Sequence, residues 1–269
     1  MSFLQCSIRN AIGTITLSSK ANRNALSVKM LHQLQHQLHL YEKDPSVMAI
    51  IIDSNVDGIF SSGHDLKEIQ KMQQQRSRKG LAELFQLCSL TMQSITSSTI
   101  PVISKVDGIA TAAGCQLVAS SDLAYGTNQS TFCTPGVSLG LFCSTPATAL
   151  GRTIHRKHAM EMLLTGRVVD ANEAVRIGLL NRVFNKRQEM DTYVEKVAGI
   201  IAAKSPQAIR SGKPLFYEQL EYSLQDAYRL TSDRMVIDIL SDNQGDKKGD
   251  CWEGIEAFLA KREPIWKQQ

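Results

Sequence analysis

Hydrophobic residues recur along the chain with two periods, and each period predicts a different kind of element. Residues 47–53 and 100–106 are almost continuously apolar, which is typical of strands buried on both faces of a sheet. Residues 6–17 alternate more loosely and indicate a strand or a hairpin. Residues 27–41 instead place leucines on one helical face, with Ser27 as the N-cap candidate. The first part of the chain therefore mixes strands with helices.

Shorter patterns complete the secondary-structure prediction. We predict a loop over residues 58–63, a helical pattern over residues 66–94 that weakens over residues 73–80, a short helix over residues 111–120, and short strands over residues 123–125 and 131–133. After Gly140 the pattern predicts helices alone, over residues 158–165, 171–177, 190–204, 206–217, 223–240 and 252–261. This order predicts an α/β core over residues 1–200, followed by a helical region over residues 201–269.

Composition and charge add little to this picture. Apolar residues make up 43 % and charged residues 21 % of the 269 residues, which is ordinary for a globular protein with a sizeable core. The net charge of +4 comes from scattered residues, so it gives little support for nucleic-acid binding. No segment has the uninterrupted apolar length of a membrane-spanning helix.

The six cysteines are not arranged in C-x-x-C pairs, and a chain of this length needs no disulfides to fold. Reduced thiols in a reducing compartment are the natural interpretation. Residues 1–9 lack the basic region and apolar stretch of a secretory signal, and they lack the arginine content of a transit peptide. We therefore predict a cytoplasmic protein.

Three histidines, His32, His36 and His39, have the spacing of metal ligands on one helix. They lie beside the apolar stripe of that helix, and no acidic residue accompanies them on that face. A solvated helix face is the interpretation we favour, and we predict no metal site.

Two segments share a pattern in which an apolar strand leads through small residues directly into a helix. They are residues 60–68 (FSSGHDLKE) and residues 106–116 (VDGIATAAGCQ). Such loops leave backbone N–H groups at a helix start free to meet a ligand oxygen. The first could equally be an ordinary turn in which Asp65 caps the helix. Two such loops could together hold an oxyanion.

These segments and three others occur in the order found in the crotonase (enoyl-CoA hydratase/isomerase) superfamily, which the chain resembles over nearly its whole length. The other matches are the RNALS turn at residues 23–27, the LLTG signature and its continuation at residues 163–179, and the C-terminal residues 253–262. The resemblance implies a ββα spiral core that binds an acyl-CoA thioester. It also implies that the C-terminal helices close the site and build a homotrimer or a homohexamer.

The resemblance also implies roles for individual residues. The backbone N–H groups of His64 and Ala113 would form an oxyanion hole for the thioester oxygen. The residues implied to contact CoA are Arg23, Ala25, Ser62, Asp65 and Leu66, joined by Phe258 and Lys261 near the C-terminus. Lys261 would reach the site of a neighbouring subunit. No cofactor is implied beyond the CoA of the substrate itself.

Two positions depart from the family pattern. Hydratases of the superfamily carry glutamates where this chain has Gln116 and Gly136. A glutamine cannot exchange a proton as a carboxylate does, and a glycine has no side chain. No Asp or Glu occurs between Asp122 and Glu161, so no substitute lies close by in sequence. Efficient hydration of an enoyl thioester is therefore not expected.

Three classes of function remain open. The first is an enzyme of the lyase or isomerase type that stabilises a thioester enolate, such as a decarboxylase of malonyl-type thioesters. The Gly-His-Asp sequence of residues 63–65 also occurs in methylmalonyl-CoA decarboxylase of this superfamily. The second class is a catalytically weak CoA-thioester binding protein, and the third is RNA binding, which the charge hardly supports. The residues expected to line the pocket are His64, Gln116, Thr134, Cys143 and Ser144, and we interpret Cys143 as an inert buried thiol.

Overall fold

A computed structural model describes residues 2–241 and 249–266 of the chain. Its strands are β1 Leu4–Arg9, β2 Ile12–Leu17, β3 Ala49–Ser54, β4 Ile59–Ser61, β5 Val102–Val106, β6 Ile109–Thr111, β7 Leu123–Thr127, β8 Thr131–Cys133, β9 Val169–Asp170 and β10 Arg182–Phe184. Its helices are α1 Val28–Lys43, α2 Leu66–Gln74, α3 Arg78–Ser97, α4 Ala113–Ser120, α5 Ser144–Thr153, α6 Arg156–Thr165, α7 Ala171–Ile177, α8 Arg187–Ala202, α9 Pro206–Gln219, α10 Leu224–Leu240 and α11 Asp250–Leu259. Short 3-10 helices lie at Lys20–Asn22 and Pro135–Leu139.

From β3 to β8, consecutive strands alternate between two sheets, and this alternation organises the fold. Within the described residues one sheet has the order β1-β2-β3-β5-β7-β10, and the other has the order β4-β6-β8-β9. Strands β3, β5 and β7 of the first sheet are each followed by a short strand of the second sheet and then by helical segments. The chain therefore repeats a ββα unit and advances as a spiral, which confirms the fold class implied by the resemblance.

Strand β3 shows why the apolar runs are continuous. Ile50 and Ile52 belong to a core that includes residues of α1 and α3, while Ala49 and Ile51 belong to a second core beneath α8. All four side chains are at most 4 % exposed. Because both faces of the strand are buried, the alternation of a half-exposed strand is lost.

Several boundaries differ from the predictions made from the sequence. The predicted loop over residues 58–63 contains strand β4, and the predicted run of helices after Gly140 contains strands β9 and β10. These strands have two or three residues, too few to show a period, so only their pairing with neighbours defines them. The pattern over residues 66–94 is divided into α2 and α3 after Gln74, within the weak stretch. A domain boundary at residue 200 stays a prediction.

Helix α9 attaches the C-terminal helices to the core through a buried lysine. The Nζ of Lys213 lies 2.7 Å from Oδ2 of Asp122 and donates to the carbonyl oxygens of Ile95 and Ile100, each at 2.8 Å. Its side chain is only 8 % exposed. The hydroxyl of Tyr217, also on α9, donates to the other oxygen of Asp122. A buried cation with this set of partners holds α9 in one orientation on the core.

Replacing Lys213 with methionine should destabilise the protein, because Asp122 loses its buried cation. Breaking a buried ion pair costs about 3–5 kcal/mol, and the free energy of unfolding in urea should fall by about this amount. The control is Arg229→Met, which removes an exposed pair with Asp226 and should change stability by less than about 1 kcal/mol. Equal small losses in the two variants would show that apolar contacts alone hold α9.

Candidate active site

The site is built where two short parallel strands end. Strands β4 and β6 are neighbours in the four-stranded sheet, with Ile59 opposite Ile109 and Ser61 opposite Ala110. Because parallel strands run in the same direction, the loops that follow them leave the sheet side by side. The first loop carries His64, and the second leads into α4 at Ala113.

A glycine lets these two loops touch. Gly63 has a φ of +81°, and a Cβ at this position would lie 2.9 Å from the carbonyl oxygen of Thr111 and 3.4 Å from the backbone nitrogen of Ala113. Any side chain here would therefore separate the loops, in addition to the strain of its positive φ. The two predicted oxyanion donors, the N–H groups of His64 and Ala113, therefore lie on neighbouring stretches of backbone.

The residue before the second donor adopts an unfavourable backbone conformation. Ala112 has φ 50° and ψ −115°, and its own N–H donates to the carbonyl oxygen of Cys133 at 2.8 Å. Such a conformation costs about 1–3 kcal/mol and persists because neighbouring contacts fix it. Ala113 is the first residue of α4, so its N–H has no acceptor within the helix and lies at the positive end of the helix dipole. The strained turn leaves this donor available to a ligand oxygen.

The ring of His64 has a defined protonation state. Its Nδ1 lies 3.2 Å from the carbonyl oxygen of Leu26, and because a carbonyl only accepts, Nδ1 carries the proton. Its Nε2 is buried and has no hydrogen-bond partner among the residues described. Burial lowers the pKa of His64, although the hydrogen bond to Leu26 opposes the shift, so the ring is neutral near pH 7. The edge of Phe85 contacts it at 5.4 Å between ring centroids.

Gln116 stands where hydratases of the family have their first glutamate, and its side-chain amide is buried. Its side chain is 4 % exposed on α4, a helix whose residues are all buried. Its Oε1 accepts a long hydrogen bond of 4.0 Å from the thiol of Cys88. Burial raises the pKa of Cys88 to about 12, so this thiol keeps its proton and remains a donor. The Nε2 of Gln116 is then directed away from Cys88 as a donor that carries no charge.

Gly136 stands where hydratases of the family have their second glutamate, and the structure leaves no room for a side chain there. It lies in the 3-10 turn of residues 135–139, and the N–H of Leu141 donates to its carbonyl oxygen at 2.9 Å. A Cβ built on Gly136 would overlap the carbonyl oxygen of Leu141 and would lie 2.7 Å from Sγ of Cys143. A glutamate at this position is incompatible with the present backbone.

A buried asparagine joins the turn of residues 23–27 to the first oxyanion loop. Asn24 is fully buried, and its Nδ2 donates to the hydroxyl of Ser54 and to the carbonyl oxygen of Phe60. Its own carbonyl oxygen accepts a 2.8 Å hydrogen bond from Ser61. The sequence analysis missed this role, because the partners of Asn24 lie about 30 or more residues away in sequence.

Most of the predicted CoA contacts lie together in this region. The N–H of Ser62 donates to the carbonyl oxygen of Arg23 at 3.2 Å, next to Ala25, and Leu66 is exposed at the start of α2. The side chain of Asp65 accepts hydrogen bonds from two N–H groups in the first turn of α2, so it acts as the helix cap. This matches the alternative that the sequence left open, and direct contact of its carboxylate with CoA stays a prediction.

Phe258 and Lys261 are far from this cluster in sequence and lie at the end of the C-terminal helix α11. Phe258 is on α11 and is 82 % exposed, and Lys261 follows that helix with an exposed side chain. Their predicted contact with CoA depends on a second subunit and stays a prediction.

The three histidines of α1 face outward, as the sequence analysis predicted. With Glu42 and Ser94 they line a surface groove of about 460 Å³. The carboxylate of Glu42 is an acid beside the histidines that the sequence analysis did not count. Within the described segments no group of three His, Cys, Asp or Glu side chains is arranged to hold a metal ion. None of the helices in those segments combines the length and apolar character needed to span a bilayer.

Comparisons with known proteins identify the family. A family model described as enoyl-CoA hydratase/isomerase matches residues 7–269. The chain belongs to the enoyl-CoA hydratase/isomerase family. It is 45 % identical over 259 residues to enoyl-CoA hydratase domain-containing protein 3 of Mus musculus, covering 96 % of this chain and 82 % of that protein. The resemblance to the crotonase superfamily is thereby confirmed, within the group of domain-containing protein 3.

Solved structures of this family have the same fold. The crystal structure of human enoyl-CoA hydratase domain-containing protein 3 superposes with a TM-score of 0.91 at 42 % identity, over 98 % of this chain and 100 % of that one. A structure of enoyl-CoA hydratase from Mycobacterium smegmatis gives 0.90 at 38 % identity, over 99 % of each chain. Members of this family are in general enzymes that act on CoA thioesters, and they usually form oligomers.

The predicted cytoplasmic location is wrong. The similar proteins from Mus musculus, Rattus norvegicus and Homo sapiens are all named as mitochondrial. Reduced cysteines and a modest net charge are compatible with any reducing compartment, so these features did not single out the cytoplasm.

Substituting Gly136 with alanine should destabilise the protein. The added methyl group meets the backbone at Leu141 and the thiol of Cys143, and overpacking of this kind typically costs about 1–3 kcal/mol. Gly151→Ala is the matched control, because a Cβ there meets nothing within 4 Å in the interior of α5. Alanine should leave stability unchanged or raise it by up to about 1 kcal/mol at that position. Urea unfolding of both variants measures the two changes in stability. Equal stability of the two variants would mean that the turn of residues 136–143 can shift to accommodate the methyl group.

Proposed function

We propose that this protein binds an acyl-CoA thioester and stabilises its enolate in a reaction other than hydration, with decarboxylation of a malonyl-type thioester as the leading candidate. One observation carries the proposal. The backbone donors of His64 and Ala113 lie on loops in contact, while Gln116 and Gly136 supply no acid or base beside them.

The energetics favour enolate stabilisation over hydration. Removing one preorganised oxyanion donor costs about 3–4 kcal/mol of transition-state stabilisation in other enzymes, so the two N–H groups alone support substantial enolate chemistry. Hydration also needs a base for water and an acid for the α-carbon, each of which contributes about 10²–10⁴-fold. The amide of Gln116 and the bare backbone of Gly136 provide neither group.

Decarboxylation makes fewer demands on the protein. When the C–C bond to the carboxylate breaks, its electron pair moves into the thioester, and the oxyanion hole stabilises the resulting enolate. No base is needed for that step. The Nε2 of Gln116 is a neutral donor that suits a substrate carboxylate, and no glutamate at position 116 repels the anion.

A panel of thioesters tests the reaction. Wild-type protein should release CO₂ from malonyl-CoA or methylmalonyl-CoA, and it should hydrate crotonyl-CoA at least about 10²-fold more slowly than a family member with both glutamates. Each thioester should also raise the melting temperature, because ligand at a hundredfold excess over Kd adds about 2.7 kcal/mol of stability.

The outcomes of the panel are distinct. Thermal stabilisation without any turnover would favour a CoA-thioester binding protein and reject the enzymatic proposal. Efficient hydration of crotonyl-CoA would mean that an acid from elsewhere in the chain reaches the pocket. No stabilisation by CoA or any acyl-CoA at millimolar concentration would reject CoA binding altogether.

The C-terminal helices support assembly into a trimer or a hexamer. Leu224 and Leu240 of α10 are 75 % and 72 % exposed, and Leu259 of α11 is 75 % exposed. Large exposed apolar surfaces mark interfaces. Because members of this family usually form oligomers, we expect further copies of this chain to cover these leucines. The exposed position of Phe258 suits a contact with a neighbouring subunit.

Light scattering should therefore report three or six subunits of 29.8 kDa at micromolar concentration. Leu224→Asp with Leu240→Asp should shift the population to smaller species, because burying two carboxylates in an apolar interface is unfavourable. The control is Leu40→Asp on α1, at an exposed position outside the C-terminal helices. A wild-type monomer would contradict the assembly.

A further inference from the structure

The thiol of Cys143 fills the space left open by the glycine at position 136. Its Sγ lies 2.7 Å from the point where a Cβ of residue 136 would be. The sulfur therefore stands at the edge of the site from which a glutamate would have projected. Cys143 is 9 % exposed, and it is the residue preceding α5, where its side chain makes no capping hydrogen bond.

The surroundings of this thiol keep it protonated at rest and can accept a transient negative charge. Burial raises the pKa of Cys143, and the nearby thiol of Cys133 adds to the shift. Two features act in the opposite sense on a thiolate once it forms: the N–H of Gly136 faces the sulfur, and the positive end of the α5 dipole is adjacent. A group of this kind is suited to give up a proton and recover it.

The thiol also lies on the side of the fold that holds the oxyanion donors. Strand β8 ends at Cys133, whose carbonyl oxygen fixes the turn before Ala113. The thiol of Cys143 lies close enough to Cys115, two residues after Ala113 on α4, to help raise the pKa of that buried thiol. Thr134, which follows Cys133, is fully buried, and its Oγ1 has no hydrogen-bond partner among the residues described. An unpaired buried hydroxyl is destabilising, and a ligand that supplies a hydrogen-bond partner would remove that cost.

The sequence analysis interpreted Cys143 as inert; from these contacts we propose instead that Cys143 is the proton donor that protonates the α-carbon of the thioester enolate. The inference rests on the proposed enolate function and identifies the acid that replaces the missing glutamate. After CO₂ leaves, the enolate electron pair forms a C–H bond with the thiol proton while the S–H bond breaks. The thiolate then takes a proton from water, so the enzyme returns to its initial state with no other reactant.

The test uses α-proton exchange, which reports proton transfer without decarboxylation. Propionyl-CoA is incubated with full-length protein in D₂O, and deuterium at the α-carbon is followed by mass spectrometry. By microscopic reversibility the group that protonates the enolate also removes the α-proton of the product. Cys143→Ala should slow exchange by about 10²-fold or more. Cys143→Ser, which keeps a similar shape with a much weaker acid, should also be slow.

The control is Cys6→Ala, which alters an exposed cysteine on β1 and should leave exchange unchanged. Equal thermal stabilisation of all variants by propionyl-CoA should show that folding and binding are retained. Exchange that is absent in wild type, or equally fast in Cys143→Ala, would overturn the assignment. Malonyl-CoA turnover is scored separately. Exchange that depends on Cys143 without CO₂ release would reject decarboxylation and keep the proton donor.

Discussion

The parallel pairing of β4 with β6 is the constraint on which the site depends. Both strands have only three residues, yet they place two helix-entering loops in contact, and glycines make that contact possible. At one end Gly108 packs against the backbone of Gly58, and at the other Gly63 packs against the turn before Ala113. A larger residue at either end would separate the strands, and the N–H groups of His64 and Ala113 would then no longer lie on adjacent stretches of backbone.

The sequence predicted those parts of the fold that local chemistry determines. The cap at Ser27 and the buried runs that became β3 and β5 were visible because each has a strong, local pattern. The short strands β4 and β10 were missed, because three residues are too few to show a period and their pairing joins distant parts of the chain.

The candidate site was predictable to the same extent. Motifs identified His64 and Ala113, and the departures at Gln116 and Gly136 could be read directly from the residue types. The structure was needed for contacts between residues far apart in sequence. Among these are the thiol of Cys88 beside the Gln116 amide, and the neutral ring of His64 fixed by a backbone carbonyl. No local signal reports contacts of this kind.

Charge is concentrated away from the site. On the opposite face of the six-stranded sheet, Asp53 pairs with Arg187 at 2.6 Å and with Lys105 at 3.0 Å, and Lys105 also pairs with Asp191 at 2.7 Å. These charges neutralise one another beside α8. Beside the loops that carry His64 and Ala113 lie the uncharged side chains of Gln116 and Thr134 and the neutral ring of His64. The carboxylate of Asp65 also lies here, where it accepts hydrogen bonds from two N–H groups at the start of α2.

The contact between Gly136 and Cys143 has a consequence for how this family diversifies. A glutamate introduced at position 136 collides with the thiol and with the backbone at Leu141, while loss of the thiol alone leaves an unfilled gap. The two positions are therefore coupled, but removing the thiol would still leave a side chain at position 136 against the backbone of Leu141. Evolution between this pocket and an acid-bearing one must therefore reshape the turn of residues 136–143 as well as exchange two side chains.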